Sequence, residues 1–279
     1  MREQVVLVTG ASSGIGRACV IELLRRGHRV FGTTRRDPQP LTDEIRRETG
    51  VGEAFDAITM DVNHGVSVQR GVETIAARAG HIDGVINCAG MGIAGAIEDT
   101  DDDEAESIFA TNFFGTLRVC RAVLPIMRQE GRGTIINVSS IGGRIALPFQ
   151  GLYSATKFAV EGLTDSLRME VRRFGVRVVL IEPGDFCTGF TDSRQRVRKA
   201  GSEAYSDTFE RSIRVAENDE RKGASPESIG QLAARILASR SPRARYLIGP
   251  RLQRIAVGLK SILPASVFDW ALRMYYRVH

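Results

Sequence analysis

A short apolar run, Gln4-Val5-Val6-Leu7-Val8, leads without a break into Thr9-Gly10-Ala11-Ser12-Ser13-Gly14-Ile15-Gly16, and an amphipathic stretch follows. This succession limits the available folds more than any other part of the chain. The run reads as a buried parallel strand, and the stretch after it as a helix turning Ala18, Cys19, Ile21 and Leu24 toward a sheet. Between them, glycines allow a close backbone approach, and the helix start offers free N–H groups and the positive end of its dipole. Strand, Gly-rich turn and helix N-terminus make a phosphate cradle, with Gly10, Ser12, Ser13, Gly14, Ile15 and Gly16 as candidate pyrophosphate ligands. The glycine spacing is G-x-x-x-G-x-G, not G-x-G-x-x-G. The inference therefore rests on the place of the turn between strand and helix rather than on glycine content.

The same alternation continues along the chain. Apolar strands are expected at 4–9, 29–34, 55–60, 84–87, 133–138, 176–181 and 245–248. Helices are expected at 14–27, 40–49, 65–79, 103–130, 152–174 and 226–239. This pattern predicts an α/β fold with a doubly wound parallel sheet of the Rossmann kind, in a single domain spanning 1–279. Right-handed crossovers then bring the glycine turn, the stretch after Asn87, Ser140 and Pro183 to the carboxyl ends of strands, in one crevice.

About 20 residues past the glycines, an NAD site places a carboxylate on the ribose 2′-hydroxyl. The second strand ends instead on Thr34, followed by Arg35 and Arg36. Nothing at Thr34 repels a 2′-phosphate, and a guanidinium can clamp one with two hydrogen bonds. The expected carrier is NADP(H), held at its 2′-phosphate by Arg35.

Ser140 lies thirteen residues before Tyr153, and Lys157 follows one helical turn later. A Tyr and a Lys at i and i+4 share a helix face. The ammonium is expected to favour the phenolate and lower the Tyr pKa, which makes Tyr153 a general acid or base at a carbonyl or alcohol oxygen. The Ser140 hydroxyl can bond the same oxygen. With a hydride carrier in the same crevice, the trio predicts carbonyl–alcohol redox chemistry.

Taken together, these motifs resemble the short-chain dehydrogenase/reductase family over residues 4–190 closely and more loosely beyond. Thr9-Gly10-x-x-x-Gly14-x-Gly16 is similar to its cofactor loop, and Asp61-Val62 to the pair that holds the adenine. Asn87-Cys88-Ala89-Gly90 resembles its Asn-Asn-Ala-Gly turn, with Cys88 in place of the second Asn. That change removes a side-chain hydrogen bond and leaves the backbone contacts of Asn87, Ala89 and Gly90. The resemblance implies that Asn112 completes a catalytic tetrad with Ser140, Tyr153 and Lys157 by holding a relay water. It also implies that Pro183, Gly184, Phe186 and Thr188 meet the nicotinamide, and that Tyr153 and Lys157 touch the cofactor. The wording Tyr-Ser-Ala-Thr-Lys-Phe-Ala is similar to members acting on hydroxysteroids and retinoids, so the implied substrate is a lipophilic ketone, aldehyde or alcohol. Gly92, Ile93, Gly142, Leu147, Phe149, Phe186 and Phe190 are expected in the substrate wall, with Arg144 and Gln150 as polar handles. Two other readings stay open: a non-catalytic dinucleotide-binding regulator, and an NAD-dependent alcohol dehydrogenase.

Composition narrows the setting. No apolar stretch is long enough to span a bilayer, and a strand starting at residue 4 leaves no room for a signal peptide. Neither the four cysteines nor the four histidines have metal-binding spacing, so no metal is expected. Reduced thiols in or near the core point to a cytoplasmic protein. The net charge of +5 comes from basic residues interleaved with acids along helix faces, which argues against a nucleic-acid partner.

Helices 103–130 and 152–174 are apolar on more than one side (Phe109, Phe113, Phe114, Val119, Leu124; Phe158, Val160, Leu163, Leu167), which predicts a homodimer or homotetramer. Residues 185–225 are polar with interspersed aromatics and weakly helical around 203–216, as expected of a lid over the substrate. The tail at 251–279 is apolar and carries the only Trp, with a short helix starting at Pro264 or Ser266. It fits a lid or subunit contact, a peripheral membrane contact, or a core-covering helix.

Overall fold

The computed structural model describes residues 2–278. Its strands are β1 (Val5–Thr9), β2 (Arg29–Thr34), β3 (Phe55–Thr59), β4 (Gly84–Asn87), β5 (Ile93–Ala94), β6 (Gly133–Val138), β7 (Val176–Pro183), β8 (Gln195–Arg196) and β9 (Arg245–Ile248). The helices are α1 (Gly14–Arg25), α2 (Gln39–Thr49), α3 (Gly65–Ala79), α4 (Asp102–Phe109), α5 (Gly115–Gln129), α6 (Gly151–Val171), α7 (Phe190–Ser193), α8 (Ser206–Arg221), α9 (Glu227–Ala238), α10 (Arg251–Lys260) and α11 (Ala265–Tyr275).

Seven strands form one sheet in the order β3-β2-β1-β4-β6-β7-β9, with every pairing parallel. β1 lies between β2 and β4, so the winding direction reverses there and opens a crevice at the strand ends. The seven expected strands are these seven. The β5–β8 ladder was not foreseen; two-residue strands carry no periodicity.

The sheet is covered on both faces, which is why its strands read as continuous apolar runs. Along β1, Val6 and Val8 face a core with Leu23 of α1 and Ile229 and Ala233 of α9. Val5 and Leu7 face the other, with Val72 of α3, Val123 of α5 and Leu167 of α6. Each fully buried Val, Leu or Ile contributes roughly 1.5–3 kcal/mol. α1 and α9 approach closely at Gly230, where a Cβ would stand 2.5 Å from the Ala18 carbonyl oxygen. In α1 the buried face is Ala18, Cys19, Val20, Leu23 and Leu24, and Ile21 is only half-buried.

The stretch 103–130 is not one regular helix. α4 passes into a π-helical turn, Ala110–Phe114, before α5 resumes. Such turns cluster at functional sites, and this one holds Asn112. Cys19 and Cys120 are buried as expected of core thiols, but Cys187 is exposed. The tail folds as two helices; α11 follows Pro264, and α10 had no counterpart in the expected elements. No described helix is long and apolar enough to cross a membrane.

Candidate active site

The crevice at the strand ends is a cleft of about 460 Å³. At its floor, Gly10 and Gly14 take positive φ values of 67° and 53°, which an L side chain would strain. A Cβ on Gly16 would lie 2.2 Å from the Gly10 carbonyl oxygen, so only glycine closes this turn. Ser12 and Ser13 stand exposed at the start of α1, beside its free N–H groups. The cradle is tied to the next strand by Thr9, whose Oγ1 accepts from the N–H groups of Cys88 (3.1 Å) and Ala89 (3.0 Å). Free amides, serine hydroxyls and a bare backbone fit a pyrophosphate. Thr34, Arg35, Asp61 and Val62 line the same cleft, with Arg35 exposed.

β6 delivers Ser140 and α6 delivers Tyr153 and Lys157 to the same cleft. Ser140 starts a short turn, with its Oγ accepting from the Gly142 N–H at 3.0 Å, which leaves its O–H as the donor toward Tyr153. Tyr153 is buried, with its ring 5.6 Å from that of Phe190. Lys157 Nζ donates to the Val138 carbonyl at 3.0 Å and stands 5.7 Å from the Tyr153 ring centre.

The expected lowering of the Tyr153 pKa is not what the structure shows. Burial pushes Tyr153 up to about 12, opposed by a hydrogen bond from Ser140. Burial also brings Lys157 down to about 8. The phenol loses more by leaving water than it gains from the Ser140 hydrogen bond and the Arg194 charge.

Two expected site residues lie behind the lining. Asn87 is buried in the sheet, where its Nδ2 donates to Asn137 Oδ1 at 2.8 Å, so its side chain does not reach a cofactor. Asn112 accepts from Met91 N–H (2.8 Å) and donates to the Met91 carbonyl (2.9 Å) and Thr156 Oγ1 (3.1 Å). Its Oδ1 and Lys157 Nζ both border the space beside Gly90, 3.3 and 3.9 Å from where a Cβ there would stand. Ala89, Gly90, Pro183, Gly184, Phe186 and Thr188 line the cleft.

The chain matches the short chain dehydrogenase family over residues 4–199. It belongs to that family. It is 42% identical over 279 residues, all of both chains, to 3-ketodihydrosphingosine reductase of Bacteroides thetaiotaomicron. Among solved structures it resembles a short-chain dehydrogenase from Streptomyces avermitilis with a TM-score of 0.84 and 31% identity, covering 97% of each chain. Serine dehydrogenase complexed with NADP+ gives a TM-score of 0.75 at 26% identity, over 88% of this chain and 94% of that one. A Burkholderia phymatum family member in complex with NAD gives 0.81 at 24% identity over 93% of each chain, which shows the fold alone.

The substrate end of this short-chain dehydrogenase differs from the expected wall. Leu147, Gln150, Phe186 and Phe190 line it. Gly92 sits behind Phe190, where a Cβ would meet the ring at 2.7 Å, and Gly142 sits against the Tyr153 ring. Ile93 is buried in a cluster with Tyr153, and Phe149 packs on Phe209 with ring centres 5.6 Å apart. Arg144 is no free handle, because it bonds Glu182 at 3.2 Å. Met91, Asp185, Glu220 and Tyr276 also line the cleft and were not singled out as site residues from the sequence. Tyr276 follows directly on α11, and no spacing in the chain links it to Tyr153.

Proposed function

We propose that this enzyme reduces a lipophilic ketone to an alcohol with NADPH. The carrying observation is that Ser140, Tyr153 and Lys157 face the same cleft as the Gly10–Gly16 cradle. Arg35, exposed at the end of β2 with no carboxylate at Thr34, supports NADP(H) over NAD(H). The Gly10–Gly16 loop with Ser12 and Ser13 would hold the pyrophosphate, Asp61 and Val62 the adenine, and Pro183, Gly184, Phe186 and Thr188 the nicotinamide.

When bound, the dinucleotide supplies hydride to the carbonyl carbon. The chain's own groups then manage the oxygen. Ser140, whose lone pair is taken by Gly142, donates its O–H to the carbonyl oxygen. Tyr153, held protonated by burial, passes its proton to that oxygen as charge grows there, a contribution of roughly 10²–10⁴ in rate. Lys157 would hold the ribose, with its ammonium favouring the charge that grows on the oxygen, and Asn112 Oδ1 beside it would hold the water that reprotonates Tyr153.

Leu147, Met91, Phe186 and Phe190 give the substrate end an apolar wall, beside the polar Gln150, Asp185, Glu220 and Tyr276. The relative named for a ketosphingoid substrate supports a long-chain ketone. α8, which contributes Ala216 and Glu220 to the lining, would cover the substrate as the main part of a lid at 185–225. The exposed Phe114, Phe158 and Met169 on and beside α5 and α6 support a homodimer or homotetramer.

The test is NADPH oxidation across long-chain 2-amino-3-ketones, steroids, retinaldehyde and β-ketoacyl thioesters. The long-chain ketones are expected to be preferred; a preference for thioesters would overturn the substrate reading. Tyr153→Phe is expected to abolish turnover and leave NADPH binding near normal, and full activity in that variant defeats the mechanism.

A further inference from the structure

The α10–α11 hairpin is built unlike the rest of the surface. Eight of the thirteen exposed large hydrophobic residues among the described residues lie on it: Leu252, Ile255, Leu259, Ile262, Val267, Trp270, Met274 and Tyr275. They fall in stripes. Leu252, Ile255 and Leu259 share one face of α10, away from the buried Val257. Val267, Trp270 and Met274 share one face of α11, away from the buried Phe268 and Tyr276. Each helix is therefore apolar on the side it buries and again on the side it shows. Four exposed arginines, Arg251, Arg254, Arg273 and Arg277, flank the stripes, and Asp269 is the one carboxylate in either helix.

The buried side of the hairpin rests on the active site. Val257 and Phe268 pack on Ile141 and Ile145, just after Ser140. Gln253 accepts from the Asp185 N–H at 2.9 Å, and Tyr276 lines the cleft. An apolar surface with a cationic margin and a Trp complements an anionic lipid headgroup layer over acyl chains. We propose that the α10–α11 hairpin seats this enzyme on an anionic lipid surface, so that substrate enters the cleft from the bilayer. The purpose of this docking rests on the lipophilic substrate proposed above; the docking itself does not.

The test uses the full chain and vesicles of phosphatidylcholine with and without phosphatidylglycerol. The chain is expected to float with the anionic vesicles at least about tenfold more than with the neutral ones. The fluorescence of Trp270, the only Trp, is expected to shift to the blue on anionic vesicles, a readout that needs no variant. The triple variants Ile255→Ser/Ile262→Ser/Trp270→Ser and Arg251→Glu/Arg254→Glu/Arg273→Glu should each lower the partition about tenfold or more. Both should keep turnover of a water-soluble ketone. Absence of flotation and of the Trp shift overturns the proposal. So does an apolar variant that converts an oligomer to a smaller species when the wild type binds no vesicles, because the face then belongs to a second copy. Binding is read without turnover, so a chain that floats but ignores long-chain ketones refutes the substrate reading alone. One that reduces them without floating refutes the docking alone.

Discussion

Gln253 grips Asp185 at two points: its Oε1 accepts from the Asp185 backbone N–H at 2.9 Å, and its Nε2 donates to the Asp185 carboxylate. The grip fixes the Pro183-Gly184-Asp185 wall of the cleft to α10. It also accounts for Gly184 and Gly249. A Cβ on Gly184 would stand 2.1 Å from Gln253 Oε1, and Gly249, at φ 146°, lies against Gly184.

Gln253→Leu should therefore leave a half-buried carboxyl and a backbone N–H without partners. The expected cost is about 1–3 kcal/mol of stability. The nicotinamide wall would also loosen, so KM for NADPH should rise severalfold. Thermal melts and steady-state kinetics check both, and an unchanged KM would show that the grip serves stability alone.

Lys157 should set the alkaline limb of the reduction rate. With burial holding it down to about 8, it carries its charge at neutral pH and loses it above that value. Tyr153, pushed up to about 12, stays protonated as the proton donor throughout this range. The kcat/KM for reduction is expected to hold up to about pH 8 and fall beyond. Lys157→Arg keeps its charge, so its limb should move out of range whatever its absolute rate. A limb that stays in place in that variant would assign the titration elsewhere.

The sheet and the cradle were legible because their determinants are local. A strand such as Val5–Thr9, a turn that only glycine can close at Gly16, and the i, i+4 pair Tyr153 and Lys157 each sit within a few residues. What escaped depends on distant partners. The Asn87 side chain is claimed by Asn137 on the neighbouring strand, and Arg144 by Glu182. The Tyr153 pKa went the other way because spacing reveals the nearby charge but not the burial that outweighs it. Gln253 and Tyr276 reach the site only because α10 and α11 fold back over Ile141 and Ile145.

A second titration lies behind the site. Glu161 on α6 and Glu182 on β7 are both buried and both bond Arg245. Burial, with repulsion from Glu182, raises Glu161 to about 7. A carboxyl whose folded pKa lies above its unfolded value binds its proton more tightly when folded, so its contribution to stability grows as pH falls from about 7 toward the unfolded value near 4.5. Glu161→Gln mimics the protonated form at every pH. The melting temperature of wild type minus that of the variant should therefore increase as pH is lowered from 8 to about 5. A difference that is flat, or that shrinks, would show that Arg245 keeps Glu161 ionised throughout.

Arg35 is the most direct test of the carrier. It stands exposed at the mouth of the cleft, one residue past Thr34, and the 2′-phosphate would be its partner there. NADH has a hydroxyl at that place, and a guanidinium gains little from it. Arg35→Ala should weaken NADPH by about 10- to 100-fold, as expected for loss of a charge-assisted bidentate contact, and change NADH by less than about twofold. Arg36 lies beside it, so Arg35→Ala/Arg36→Ala should lose little more if Arg35 is the clamp. Isothermal titration with both dinucleotides separates these outcomes, and an equal loss for NADPH and NADH would place the 2′-phosphate elsewhere or make NAD the natural carrier.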